Sequence, residues 1–328
     1  MKTSRRASQF LRQFSGPKAG SGIVCFKFWQ AVVAGGCPYQ CAYCFLQTVP
    51  WYRFRPDELS GLLYTNIQEI SIELDLWHRN SRPHTLIVGE LQEGLAFDDD
   101  YMQLTGTPLT HLIIPSFAQQ ERNEVVFLTK STEIDHALEL EATDRVVFAW
   151  SVNSEKVARL WEKGPPTPKK RFEAAKKMRD GGWRVRFRLD PMIPIDGWEE
   201  QYHRTLDKII QIEPEMVTIG ALRATNAKAL KRAAEMNGRD IRVFDYLTNQ
   251  KDPSGFKHRI DHDKQHEMFS YVLQALSDIT VTSLCKEHSS LWNTLGIKYS
   301  GCNCMPMRSS LVNKRLTSDQ MTQEISSS

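Results

Sequence analysis

The 328-residue chain contains no apolar run near the roughly 18 residues that a membrane-spanning helix needs, so no such helix is expected. It has no internal repeat and no long low-complexity linker, which excludes a repeat array. Net charge is only +3, so the chain as a whole is not a polycation. Acidic residues are missing from the first 18 positions, where Lys2, Arg5, Arg6, Arg12 and Lys18 stand without a secretory apolar stretch. Residues 1–20 therefore read as a basic arm: a nucleic-acid contact, a transit-type peptide or a solvated end. Cysteine is scarce, and its seven copies are not spread as a disulfide framework. That pattern fits metal binding in a reducing, cytoplasmic setting. With 41% hydrophobic residues there is enough apolar material for one large barrel or two ordinary domains.

What is present is concentrated in one run, Gly35-Gly36-Cys37-Pro38-Tyr39-Gln40-Cys41-Ala42-Tyr43-Cys44-Phe45-Leu46-Gln47. Three soft thiolates this close can hold three irons of a 4Fe–4S cluster, leaving the fourth iron open. An amine and a carboxylate on one small molecule, as in the methionine end of S-adenosylmethionine (SAM), can chelate an open iron. A zinc loop would usually pair its cysteines with a second, distant pair. The spacing favours the cluster, and it is the spacing of the radical SAM superfamily, which the run resembles.

Apolar runs of strand length occur at 23–33, 85–88, 125–128, 146–150, 183–189 and 216–219. Between them, positions 57–78, 169–179 and 199–210 carry helical spacing. This alternation predicts a parallel sheet. Six strands suit an α/β partial (β/α)6 TIM-like barrel, with chemistry at the C-terminal strand ends where the cysteine loop falls. The expected division is a barrel over 21–225, a C-terminal region over 226–316 completing its mouth, and a mobile tail over 317–328. A basic helical stretch at 223–239, a helix at 263–276 and a strand-like 279–282 belong to that region.

Several segments resemble the spore photoproduct lyase family. They are the cluster loop with its following Leu46-Gln47-Thr48, then Leu128-Thr129-Lys130 with Ile134-Asp135-His136-Ala137, and Phe148-Ala149-Trp150-Ser151-Val152-Asn153. Arg171-Phe172-Glu173-Ala174-Ala175 and Ile195-Asp196-Gly197-Trp198-Glu199-Glu200 also match. The similarity runs from about residue 20 to 280. The resemblance implies that Cys37, Cys41 and Cys44 ligate the 4Fe–4S cluster and that Tyr43 lies near SAM or the cluster. It implies that Lys130 reaches the SAM carboxylate, and that Ser151 and Asn153 contact its ribose or methionine. Arg188 and Asp190, at the end of the fifth strand, would pair with each other or hold substrate.

Two departures stand out. The family's hydrogen-returning cysteine, just after its second strand, is here replaced by Glu90, and the tyrosine after the last cluster cysteine is Phe45. Neither side chain readily donates a hydrogen atom. Gly89-Glu90 is similar to the Gly-Glu that binds the SAM amine in many superfamily members, so Glu90 becomes a SAM ligand or a base. The second departure is the tail, where Cys285, Cys302 and Cys304 could hold an auxiliary Fe–S cluster, or zinc with a fourth ligand such as His288. Cys25 reads as a buried strand residue, and His258, His262 and His266 as surface or substrate-contacting.

The resemblance implies reductive cleavage of SAM to a 5′-deoxyadenosyl radical, with an external electron donor such as flavodoxin or ferredoxin. It implies hydrogen abstraction from a thymine-type base or modified nucleotide in DNA. Basic segments at Lys169-Lys170-Arg171 and 223–239 would meet phosphates. Trp29, Trp51, Tyr52, Trp150 and Trp198 would stack on a base taken out of the helix. Without the hydrogen-return pair, modification or isomerisation is expected. Thymine-dimer repair with another donor, a small-molecule or peptide radical SAM reaction, and a non-catalytic zinc-stabilised nucleic-acid-binding protein are the alternatives.

Overall fold

The computed structural model describes residues 2–49, 61–79, 84–255, 257–298, 302 and 304. Its centre is an eight-stranded sheet. In chain order the strands are β1 (Leu11–Gln13), β2 (Trp29–Ala31), β3 (Thr85–Val88), β4 (Glu124–Thr129), β5 (Val146–Ser151), β6 (Arg184–Met192), β7 (Met216–Ala221) and β8 (Val281–Leu284). Each lies beside its predecessor, so the sheet winds in one direction. Only β1 is antiparallel to its neighbour.

The central strands form where β-branched and aromatic residues run without interruption. Val125, Val126, Phe127, Val147, Phe148 and Trp150 are all essentially inaccessible. A parallel sheet covered by helices on its outer face and by the barrel interior on its inner face demands such unbroken runs. Helices α1 (Ile70–His78), α2 (Leu109–Ala118), α3 (Glu155–Trp161), α4 (Pro168–Asp180), α5 (Trp198–Ile212), α6 (Ala227–Met236) and α7 (His262–Leu276) lie along the chain between or after the strands. Their starts are legible: Ser154, Thr167, Asn226 and Asp261 each accept a backbone N–H of the first turn. No helix among the described residues is long and apolar enough to cross a membrane.

Four expectations need correction. The strand expected over 23–33 is broken into Ile23–Val24, Trp29–Ala31 and Ala34–Gly35, because Ile23–Val24 pairs with Glu287–His288 instead. Seven parallel strands replace the expected six, since β8, from the C-terminal region, pairs with β7. The helix expected over 57–78 is shorter, and residues 51–60 lie outside the described residues, as does the tail 317–328.

The basic arm is the fourth. Thr3–Ser4 pairs with Leu62–Tyr64, and β1 closes the sheet edge. Phe10 and Leu11 are buried, and their N–H groups donate to the Glu73 carboxylate at 3.0 and 2.9 Å. The apolar Phe10-Leu11 pair draws the segment inward although its charges suggested a free end.

A candidate cofactor and substrate cavity

The cysteine loop leaves Ala34–Gly35 and returns through a short ladder in which Cys41 pairs with Glu162. Its turn is set by the Cys44 N–H donating to the Cys41 carbonyl at 3.2 Å. The buried Gln47 side chain sits under it and donates to the carbonyls of Ala42 and Cys44 at 2.8 and 3.1 Å. Arg239 donates to the Cys41 carbonyl at 3.0 Å. Cys37, Cys41 and Cys44 all line one cavity of about 1050 Å³ at the C-terminal ends of the strands.

Burial holds all three thiols above their ordinary range, with Cys41 pushed up to about 12. Repulsion from Cys44 adds to it at Cys37, while the Leu46 N–H, Arg239 and Lys130 act oppositely on Cys44. These are donors that ionise when metal charge arrives. Among the described residues, no three His, Cys, Asp or Glu side chains converge on a single-ion site. A multi-iron cluster takes one thiolate per iron and needs a wider spread. Soft donors, three vertices and flanking cations therefore fit a 4Fe–4S cluster.

Tyr43 and Glu162 brace this loop. The Tyr43 hydroxyl donates to Glu162, whose other oxygen accepts from Arg171 Nη2 at 2.5 Å. Glu162 and Arg171 are both 1% exposed. Lys130 Nζ stands 3.9 Å from Glu162. Burial pushes the Glu162 carboxyl up, but Lys130 and Arg171 outweigh it and hold it below its usual range.

The turn after β3 supplies the carboxylates. Gly89 has φ +117°, and a Cβ there would lie 2.0 Å from the Leu128 carbonyl oxygen; at Gly94 the distance would be 2.4 Å. Only glycine lets this turn pack against the end of β4. Glu93, which sequence reasoning passed over in favour of Glu90, is buried with one oxygen 2.5 Å from both Thr129 Oγ1 and the Lys130 N–H. Its other oxygen accepts from the N–H groups of Leu95 and Ala96 at 2.6 and 2.7 Å. The two glutamates stand three positions apart, and nothing local distinguishes the one that organises the turn.

Glu90 is engaged otherwise. It pairs with Arg188 at 3.3 Å and with Lys286 at 3.2 Å. Burial raises its carboxyl, but these two cations prevail and leave it below its usual range. Asp190 takes a two-pronged contact from Arg223, at 2.9 and 2.8 Å, and a 3.3 Å contact from Arg188. Such paired contacts are among the strongest available to a carboxylate. Arg223, Lys257 and Lys286 line the same cavity and were not singled out as site residues from the sequence.

Behind this wall lies a second space of about 20 Å³, lined by Cys25, Cys285, Cys302 and Cys304 with Glu90, Arg188 and Lys286. Cys285 Sγ accepts from Arg188 at 3.0 Å and Arg223 at 3.4 Å. Cys25, which the sequence reading left without a role, shares this space with the three tail cysteines. His288 does not line it: its Nδ1 contacts Ser290 and its ring packs on Gly22.

Phe45 and Ser151 line the large cavity, whereas Asn153 does not. Asn153 is buried, donating to the Pro191 carbonyl at 2.7 Å and accepting from Tyr202 at 3.1 Å, so it fixes the ends of β5 and β6. The stacking expectation also changes. Trp150 is buried with its indole N–H on the Ser131 carbonyl, and Trp198 is buried against Tyr271. Trp29 packs on Trp77, and Trp51 and Tyr52 lie outside the described residues. In the run Lys169-Lys170-Arg171, Arg171 is spent on Glu162 rather than free for phosphate. His258 lies in a short strand, whereas His262 and His266 belong to α7.

Comparison with known proteins gives a consistent picture. A family model described as spore photoproduct lyase matches residues 29–223. The spore photoproduct lyase of Bacillus subtilis (strain 168) is 28% identical over 216 residues, 62% of this chain and 58% of that protein. The one from Geobacillus sp. (strain Y412MC61) is 25% identical over 185 residues, 54% of this chain and 49% of that protein. The match thus spans about half the length of these relatives. A solved spore photoproduct lyase complexed with dinucleoside spore photoproduct superposes with a TM-score of 0.65 at 19% identity, covering 86% of this chain and 80% of that one. A mutant with bound AdoMet and the same dinucleoside gives 0.61 at 19% identity, covering 77% and 74%. These likenesses establish the partial-barrel fold.

Proposed function

The chain belongs to the spore photoproduct lyase family, and on that premise we propose that it is a radical SAM enzyme acting on a thymine-type base or modified nucleotide in DNA. The observation that carries this reading is that Cys37, Cys41 and Cys44, from one loop, all open into the cavity at the C-terminal strand ends. A 4Fe–4S cluster with SAM supplies a 5′-deoxyadenosyl radical, fed by an external reductant of flavodoxin or ferredoxin type.

The chain's own residues position and shield. Cys37, Cys41 and Cys44 would hold the cluster, and Lys130 and Arg239 would offset its negative charge. Lys130 would meet the SAM carboxylate, with Ser151 and the ordered turn around Glu93 at its side. Tyr43, fixed through its hydroxyl, would present its ring rather than a proton. Arg188 and Asp190 would face the substrate. The DNA substrate is supported by the dinucleoside spore photoproduct that the solved relatives bind.

Modification or isomerisation of the base is favoured over splitting of a lesion. Just after β3 stands a carboxylate, Glu90, locked between Arg188 and Lys286. Lesion splitting with another donor is the second reading. It is favoured by Cys285, whose sulfur accepts from Arg188 Nη2 at 3.0 Å.

The test is anaerobic reconstitution followed by measurement of 5′-deoxyadenosine formed from SAM under dithionite, with and without a thymine dinucleotide. Product formation that is lost in Cys41→Ala and stimulated by the dinucleotide supports the proposal. No 5′-deoxyadenosine from iron-loaded protein overturns it.

A further inference from the structure

The inner wall of the large cavity carries more positive charge than it neutralises. Lys18, Lys130, Arg188, Arg223, Lys257 and Lys286 line it against three carboxylates, Glu90, Glu93 and Asp190. Arg223 and Arg188 are committed to Asp190, and Lys286 and Arg188 to Glu90. Lys257 has no ion-pair partner among the described residues, although it belongs to a built element. Its N–H faces Asp252 Oδ1 at 3.4 Å, and its carbonyl accepts the Asp252 N–H at 2.8 Å. Asp252 is itself buried and contacts Arg259 at 3.4 Å. The lysine is therefore held toward the cavity on a short hairpin closed by the bridge between Lys251 and His258. A half-buried cation beside other cations is a receptor for an anion.

We infer that Lys257, which shares the cavity lining with Arg223 and Lys286, forms an oxyanion subsite that takes a phosphate group of the nucleotide substrate. This rests on the nucleic-acid reading above, in which phosphate is the only anionic group the substrate offers. Burial, then repulsion from Arg223, Lys286 and Arg259, lowers the Lys257 ammonium to about 8. An anion seated there relieves that repulsion. Lys257 and Lys286 lie beyond residue 223, where the family match ends, and Arg223 is its last residue.

The probe is a thymidine dinucleotide compared with its methylphosphonate, in which a neutral methyl replaces one charged oxygen. Binding is measured anaerobically on reconstituted protein without reductant, so that no turnover intervenes. The wild type is expected to prefer the charged dinucleotide by about tenfold to a hundredfold, the range of one charge-assisted hydrogen bond. Lys257→Met should remove most of that preference, and Lys257→Arg, which keeps the charge, should retain it. An equal preference in wild type and Lys257→Met overturns the subsite while the nucleotide reading stands. If neither dinucleotide binds any form, the nucleotide reading falls and the subsite with it. Should the methionine variant fail to fold, an arginine variant that loses the preference as fully as Lys257→Gln also overturns it.

Discussion

Tyr43 and Glu162 join the cysteine loop to the barrel wall at two levels. The Tyr43 hydroxyl donates to the carboxylate, and one residue pair away Glu162 shares a backbone ladder with Cys41. Arg171 closes the arrangement from α4, reaching the Ser151 carbonyl at 3.1 Å with its other nitrogen. A loop that must offer three mutually repelling thiolates is thereby fastened to the rigid end of β5.

Breaking this brace should be expensive. Glu162→Ala leaves the Arg171 guanidinium buried without a counter-charge, a loss of about 3–5 kcal/mol. Tyr43→Phe leaves the ion pair intact and should cost about 1 kcal/mol. Urea unfolding of the two variants checks the ranking; equal midpoints would sink it. The pH dependence follows from the sign of the shift. Glu162 is held below its usual range when folded, so its stabilisation is complete above the unfolded carboxylate value of about 4.3. It is lost as pH falls through the lower folded value.

Iron counting separates the two cysteine groups. Reconstituted wild type should bind about four irons per chain if only the first loop holds a cluster of the usual composition. Alanine at Cys37, Cys41 or Cys44 should lower iron together with the visible cluster absorbance. Alanine at Cys285 should leave both unchanged. A count near eight, falling by half in Cys285→Ala, would instead assign a second cluster to the space that Cys25 shares.

The strands and the cysteine loop were legible in the sequence because both are local. Unbroken Val, Ile and Phe runs mark buried parallel strands, and ligand spacing is a property of consecutive residues. Beyond the local Arg188–Asp190 pair, the electrostatic architecture was not legible. Lys286 meets Glu90 across 196 positions, and Arg223 meets Asp190 across 33. No local pattern tells which carboxylate a given guanidinium will find. Arg171 shows the consequence: in a basic run it reads as a phosphate contact, yet burial and Glu162 claim it. Phe10 and Leu11 show the converse, since two apolar residues outweigh five basic ones in placing the N-terminal segment.

The turn between β3 and the Glu93 carboxylate makes a sharper mutational prediction. Gly89→Ala forces a Cβ to within 2.0 Å of the Leu128 oxygen in a positive-φ conformation. Strain of this kind costs about 1–3 kcal/mol before any backbone shift. The variant should lose stability in urea and bind SAM more weakly on reconstituted protein, because Glu90 and Glu93 move with the turn. An unchanged SAM affinity at reduced stability would separate the turn from the cofactor site.

The last prediction concerns pH and the cation wall. Lys257 faces Arg223, Lys286 and Arg259 as like charges and Cys285 as a thiol, and loses its proton near about 8 when no anion is present. Below that value the ammonium is intact and should hold the dinucleotide phosphate; above it the affinity should fall as the proton leaves. A bound anion favours the charged form, so in the complex the same loss moves to higher pH. Dinucleotide affinity measured from pH 7 to 9.5 should therefore decline in wild type, whereas the methylphosphonate should bind with little change. Lys257→Arg, whose guanidinium stays charged throughout, should flatten the wild-type profile. A decline that persists in Lys257→Arg would assign the titration to another group and remove Lys257 from the phosphate contact.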